Sequence, residues 1–222
     1  MKSAFITGTS KGLGKSIALH LLSKNWQVIG ISRKDHDISH ERYTHIRCDV
    51  SSYDEVQACF ESIKTTKIDL LINNSAVFEY NSFEDTNMAK IDSMIDINLK
   101  GPMYVTKCAL PAMKENGRIV FINSVAGLEE LENQSIYCAT KHGLTGFAGV
   151  LSKELQKRKI KVTSIHPGGI NTPLWDNLKF HDDTTKLLDP NEIAKLVEFI
   201  SNSQENVEYK TIKMFPTIEW HQ

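Results

Sequence analysis

Tyr137 and Lys141 stand four residues apart at the start of a strong helical pattern. On a helix, that spacing puts both side chains on one face. An ammonium beside a phenol favours the phenolate, which predicts a tyrosine pKa lowered toward the working range. Such a phenol can hand a proton to a carbonyl oxygen as hydride arrives at its carbon. Ser124 closes the apolar run Phe121-Ile122-Asn123-Ser124, thirteen residues before Tyr137. A hydroxyl there can hydrogen-bond a substrate oxygen as negative charge develops on it. Each residue also has a plainer reading. Ser124 could be an ordinary strand-end turn residue and Lys141 a solvated helix lysine, and Tyr-x-x-x-Lys is common by chance. Order and spacing, taken jointly, favour the chemistry.

A second constellation opens the chain. Thr7-Gly8-Thr9-Ser10-Lys11-Gly12-Leu13-Gly14 follows the first apolar run and precedes a helical pattern. Glycines without Cβ let the backbone turn tightly and approach a pyrophosphate. The free N–H groups and positive dipole end of the following helix then stabilise the anion. The spacing is G-x-x-x-G-x-G. It is neither the G-x-G-x-x-G of ordinary Rossmann dehydrogenases nor a P-loop, which would end in Lys-Ser/Thr. A turn that merely connects strand to helix is the alternative.

These residues need elements to hold them. Apolar runs of strand length alternate with longer helical patterns along the chain, the signature of βαβ units and a parallel sheet. Strands are predicted at 3–7, 27–32, 44–47, 69–73, 118–123, 161–166 and 211–215. Helices are predicted at 12–24, 53–65, 88–114 (broken around Gly101-Pro102), 135–159 and 190–202. The fold class is therefore α/β: a single-domain, Rossmann-type, doubly wound parallel sheet of about seven strands with helices on both faces, spanning 1–222. In such sheets ligands bind beyond the carboxyl ends of the strands, and every motif falls there. Residues 172–189 lack a clean period and read as a substrate loop.

Thr-Gly-x-x-x-Gly-x-Gly at the start, with Ser124, Tyr137 and Lys141 in order, resembles the short-chain dehydrogenase/reductase family. The likeness runs from residue 3 to about residue 172. It implies an enzyme that moves hydride between NADP(H) and a carbonyl or secondary alcohol. Gly8, Ser10, Lys11, Gly12, Leu13 and Gly14 would cradle the cofactor. Asn98, in Asp96-Ile97-Asn98-Leu99-Lys100-Gly101, matches the family's helix-kink asparagine, which holds a water linking the lysine to solvent. Asp49 and Val50 would meet the adenine, although Asp49 also reads as a helix-start residue beside Ser51 and Ser52. Asn74-Ser75-Ala76 stands where the family has Asn-Ala-Gly. Asn74 should still brace the sheet, while Ala76 adds a methyl near the cofactor. Pro167, Gly168, Ile170 and Thr172 would line the nicotinamide, with Tyr137 and Lys141 beside its ribose. His166 reads as a strand-end residue.

The second predicted strand ends Ser32-Arg33-Lys34. An acidic residue here would bond both ribose hydroxyls of NAD, whereas a basic one pairs with the 2′-phosphate of NADP. Arg33, together with Lys11, therefore points to NADP. A solvated basic cluster is the alternative.

Net charge is −1 over 222 residues, which argues against a nucleic-acid or anionic-membrane partner. No apolar segment is long enough to span a bilayer. Cys48, Cys59, Cys108 and Cys138 lack metal-ligand or redox-pair spacing, so no metal is expected and the thiols read as reduced, in the cytoplasm. Leu174, Trp175, Leu178 and Phe180 could contact an apolar substrate or pack on the body of the protein. Glu129, Glu130 and Glu132 weakly disfavour anionic substrates. A small ketone, diketone or aldehyde is the expected substrate. A 3-oxoacyl thioester and a non-catalytic NADP-binding regulator are the alternatives. A homodimer or homotetramer is expected through the helices at 88–114 and 135–159.

Overall fold

The computed structural model describes residues 1–174 and 186–217. Trp175, Leu178 and Phe180 lie outside the described residues. Seven strands form one sheet: β1 (Ser3–Thr7), β2 (Gln27–Ser32), β3 (Tyr43–Arg47), β4 (Ile68–Asn73), β5 (Met113–Ile122), β6 (Lys161–Pro167) and β7 (Thr211–Met214). Their order is β3-β2-β1-β4-β5-β6-β7, and every pairing is parallel. The helices are α1 (Gly12–Ser23), α2 (Tyr53–Ser62), α3 (Met88–Ile95), α4 (Gly101–Ala109), α5 (Ser135–Glu154) and α6 (Pro190–Ser201).

Strand alternation divides the core in two. Successive side chains point to opposite faces. Phe5, Leu71, Ile119 and Phe121 thus face Val56 and Phe60 of α2, Val105 of α4 and Leu144 and Leu151 of α5. Ala4, Ile6, Leu70, Ile72, Val120 and Ile122 face Ile17 and Leu21 of α1 and Ile193 and Val197 of α6. A sheet covered on both faces needs strands apolar throughout, and the central strands read that way. The smaller cluster of Met94, Ala126, Tyr137 and Cys138, flanked by Val77, Phe78, Leu131 and Ile136, surrounds the candidate phenol.

The helix expected over 88–114 is differently made. It divides at a π-helical turn over Asp96–Lys100, just before Gly101-Pro102. Pro102 sits in the first turn of α4, where its missing N–H costs nothing. The helix ends at Ala109, and residues from Met113 join β5. Pro111 cannot continue a helix, and the Met113 end of β5 pairs with Ile68. The expected helix over 135–159 likewise ends at Glu154 and closes in a 3-10 turn, Gln156–Arg158.

Candidate active site

The strand order reverses between β1 and β4, the topological switch point where ligands of open α/β sheets bind. A narrow crevice, too tight to admit a water molecule, lies there among residues that include Thr7, Val50, Asn73, Ser75 and Gly101. Four of these are strand-end or post-strand residues, so the sheet itself places them.

The Gly-rich turn borders this crevice. Gly8 and Gly12 have φ of 76° and 59°, the left-handed region that glycine enters without strain. Gly14 is held by space instead: a Cβ there would lie 2.2 Å from the Gly8 carbonyl oxygen and 2.5 Å from Asn74 Nδ2. Asn74 fastens the turn to the sheet. Its Nδ2 donates to the Thr7 carbonyl at 2.8 Å, and its N–H and that of Ser75 both donate to Thr7 Oγ1 at 2.9 Å. The replacement of the family's alanine by Ser75 therefore leaves the brace intact. The N-termini of α2, α3 and α6 are capped by Ser52, Asn87 and Asp189 side chains. That of α1 has no side-chain cap and no acidic residue in its first turn. Its N–H groups and positive dipole end are left for an anion, which fits a pyrophosphate.

Arg33 projects beyond β2 with its side chain 57% exposed and lies 3.8 Å from Asp49. Lys11 and Lys34 are exposed too. Asp49 takes the helix-start role. Its Oδ1 accepts from the Ser51 N–H at 2.9 Å and Oγ at 2.7 Å, a helix-entry turn, while Oδ2 faces Arg33. Val50 is buried against the crevice.

Tyr137 and Lys141 share the buried face of α5, 8% and 2% exposed. The Phe78 ring meets the Tyr137 ring edge-on, with centroids 4.8 Å apart. Ser124 stands beside the phenol. Burial pushes the phenol up to about 12, and the Ser124 hydroxyl opposes this only in part. The expected lowering is thus not found. The physical reason is the desolvation of a phenolate inside this apolar wall, and Lys141, itself pulled down to about 8, is neutral where the phenol would ionise. Lys141 Nζ lies 5.5 Å from the Tyr137 ring centroid and donates to the Ile122 carbonyl at 3.2 Å. Burial pulls its pKa down to about 8.

Ser124 and Asn98 are fixed by backbone partners. Ser124 Oγ accepts from the Ala126 N–H at 3.2 Å, so its own O–H is directed elsewhere. Asn98, buried in the π turn, closes a two-way clamp on Val77. Its Oδ1 accepts the Val77 N–H and its Nδ2 donates to the Val77 carbonyl, both at 2.8 Å. The same Nδ2 lies 3.5 Å from Thr140 Oγ1, beside Lys141. The asparagine therefore locks the exit of β4, the π turn and α5 together. The side-chain pattern did not foretell this clamp. Nor did it foretell that Asn123 Nδ2 reaches Thr145 Oγ1 at 2.9 Å and ties β5 to α5. The signal available was an asparagine one residue before the strand-end serine.

Beyond β6, Gly168 N–H donates to the Met214 carbonyl at 2.8 Å, and the stem of the loop is closed by Leu188 N–H to Gly169 O and Asn171 N–H to Leu188 O, both 2.9 Å. Ile170 bridges Leu188. Thr172 and Pro173 lie over Gly12, whose Cβ would sit 3.4 Å from Thr172 Cβ. Pro167, Gly168 and Ile170 thus stand at the carboxyl edge, and Thr172 is brought to the Gly-rich turn. Ala76, half-buried, follows Ser75 at that edge.

Comparison with known proteins agrees with this geometry. The family model described as short chain dehydrogenase matches residues 2–183. Carbonyl reductase family member 4 of Xenopus laevis is 35% identical over 218 residues, covering 91% of this chain and 92% of that protein. The ligand-free aldohexose dehydrogenase of Thermoplasma acidophilum is 25% identical with a TM-score of 0.88, covering 100% of this chain and 97% of that one. A closed serine dehydrogenase complexed with NADP+ is 25% identical with a TM-score of 0.89, covering 99% and 96%. A match over nearly the whole chain settles the kinship: this is an oxidoreductase of the short-chain dehydrogenase family, a family that binds a nicotinamide cofactor.

Proposed function

We propose that the protein is an NADPH-dependent carbonyl reductase that acts on a small ketone, diketone or aldehyde. The observation that carries this reading is the buried Tyr137 phenol, beside Ser124 and one helical turn from Lys141. When bound, the cofactor supplies the hydride. The protein's own residues handle the oxygen. With Ala126 N–H donating to its Oγ, Ser124 has its O–H free for the carbonyl oxygen as charge develops there. Tyr137, pushed up to about 12, stays protonated at neutral pH and acts as the acid. That state suits reduction, because the group must give a proton rather than take one. Lys141 stands next to the phenol with a pKa near 8 and can restore the lost proton. Asn98 holds α5 and the Val77 segment in register for that relay.

The preference for NADP rests on Arg33 and Lys34 at the end of β2 and on Lys11 in the Gly-rich turn, which together present positive charge to a 2′-phosphate. The relative solved with NADP+ and the carbonyl reductase relative agree with both halves of the proposal. The apolar wall of Val77, Phe78, Leu131 and Ile136 around Tyr137 favours an uncharged substrate. A single domain in the cytoplasm, paired through α4 and α5, completes the reading. The outer face of α5 suits such pairing: a Cβ at Gly146 or Gly149 would meet nothing within 4 Å, and Val150 is exposed.

The test is NADPH oxidation by the purified protein against ketones, diketones, aldehydes and acetoacetyl thioesters. Turnover of simple carbonyls supports the proposal. Turnover of thioesters alone would reassign the enzyme to 3-oxoacyl reduction. Tight NADPH binding with no turnover of any carbonyl would make it a regulator instead.

A further inference from the structure

Ser124 leaves the sheet where the β5–β6 ladder stops. The last rung is Asn123 N–H to the Ile165 carbonyl, 2.8 Å. Ser124 then enters the turn over Val125–Gly127. A buried carbonyl past the end of a ladder has lost its strand partner and needs another donor. Two donors are supplied: the Gly127 N–H at 3.0 Å and Nδ1 of His166 at 2.9 Å.

His166 lies in β6 and is completely buried. Its acceptor is a carbonyl, so Nδ1 carries the proton. Nε2 is buried without a hydrogen-bond partner among the described residues. A buried ring nitrogen left bare is a cost that an aliphatic residue at this strand position would avoid. What the imidazole secures in return is Ser124: with the carbonyl pinned from two sides, the Ser124 peptide is fixed. Its Oγ can then take the Ala126 N–H at 3.2 Å and stand beside Tyr137.

We infer that His166 is a positioning residue, whose Nδ1–H anchors the Ser124 carbonyl and thereby aims the Ser124 hydroxyl at Tyr137. This rests on the reading of Ser124 and Tyr137 as the reaction centre. The groups facing the imidazole are Lys141 and His142 from α5 and Lys213 from β7, together with the Ser124 carbonyl. Burial and all three cationic groups disfavour a charged ring, and the carbonyl alone favours it. The pKa of the ring is therefore lowered from its ordinary 6.5.

Nitrogen-15 NMR of the imidazole in the cofactor-free wild-type protein reads the tautomer directly. The expected result is a proton on Nδ1 in the neutral ring and a titration midpoint below the ordinary 6.5. A proton on Nε2, or a midpoint at 6.5, would overturn the inference. The kinetic arm compares His166→Asn, whose side-chain amide keeps a donor at the δ position, with His166→Leu, which has none. The leucine variant should lose about tenfold to a hundredfold in kcat, the scale of a misplaced reacting group, with little change in NADPH affinity. The asparagine variant should recover most of that loss. Wild-type kcat in the leucine variant, or an asparagine variant no better than leucine, would sink the positioning role. Should either variant fail to fold, the wild-type tautomer decides. It is read without turnover, so its failure is distinct from failure of the proposed activity.

Discussion

Replacing Lys141 by methionine should stabilise the cofactor-free protein while abolishing its turnover. The side chain is 2% exposed, and burial brings its pKa from 10.5 to about 8. Holding an ammonium under those conditions costs the folded state about 3 kcal/mol at neutral pH, at 1.36 kcal/mol for each tenfold change in proton affinity. Methionine removes that cost and fills a similar volume. It also leaves the Ile122 carbonyl without the 3.2 Å bond from Nζ, a loss of about 1 kcal/mol. The net gain is about 2 kcal/mol. The sign of the pH dependence follows from the lowered folded-state pKa. Between pH 8 and 10.5 the unfolded chain holds the proton and the folded one does not, so wild-type stability rises through that window. The advantage of the variant should therefore shrink above pH 8, vanish near about pH 9.5 and turn into a deficit of about 1 kcal/mol, the lost hydrogen bond, by 10.5. Urea unfolding of both proteins across that range, followed by tryptophan fluorescence, measures it. A variant less stable at neutral pH, or a difference that does not change with pH, would refute the reasoning.

Three further outcomes are expected. Arg33→Glu should weaken NADPH binding by about tenfold to a hundredfold, the worth of a charge-assisted hydrogen bond, and leave NADH binding equal or better; fluorescence titration with each nucleotide checks it. Gly14→Ala forces a methyl to within 2.2 Å of the Gly8 carbonyl oxygen, so it should cost about 1–3 kcal/mol in urea unfolding and lose most NADPH affinity. Phe78→Ala opens the wall against which the Tyr137 ring packs edge-on. Water admitted there should lower the tyrosine pKa from about 12, which spectrophotometric titration against Tyr137→Phe can resolve.

Much of this architecture was legible in residue patterns. β1 and β2 were read to the residue, because a strand covered on both faces must be a continuous apolar run bounded by polar turns. The Gly-rich turn was legible for a similar reason: Gly8 adopts a backbone conformation that few other residues tolerate, so its identity reports its geometry. What escaped depends on contacts between distant segments. A kink at Asn98 was legible through the resemblance, but not its cause: the π turn over Asp96–Lys100 exists where Asn98 grips Val77, a partner 21 residues earlier. Nothing local marks that grip. The pKa of Tyr137 escaped too. Helical spacing places Lys141 beside it, but the walls that bury it come from Phe78, Met94 and Ala126 on three separate segments. Desolvation is a tertiary quantity, and here it moves both groups, raising the phenol and lowering the lysine. His166 reads from the sequence as a strand-end residue, and its bond to the Ser124 carbonyl depends on where the β5–β6 ladder ends.

The account turns on Tyr137 giving its proton to the substrate oxygen. Single-turnover NADPH oxidation, with a carbonyl found by the substrate screen, should be compared in wild type and Tyr137→Phe. The phenylalanine variant should bind NADPH as the wild type does and transfer hydride about a hundredfold or more slowly, the loss expected when a general acid is removed. Hydride transfer at the wild-type rate in a folded, NADPH-binding variant would contradict it.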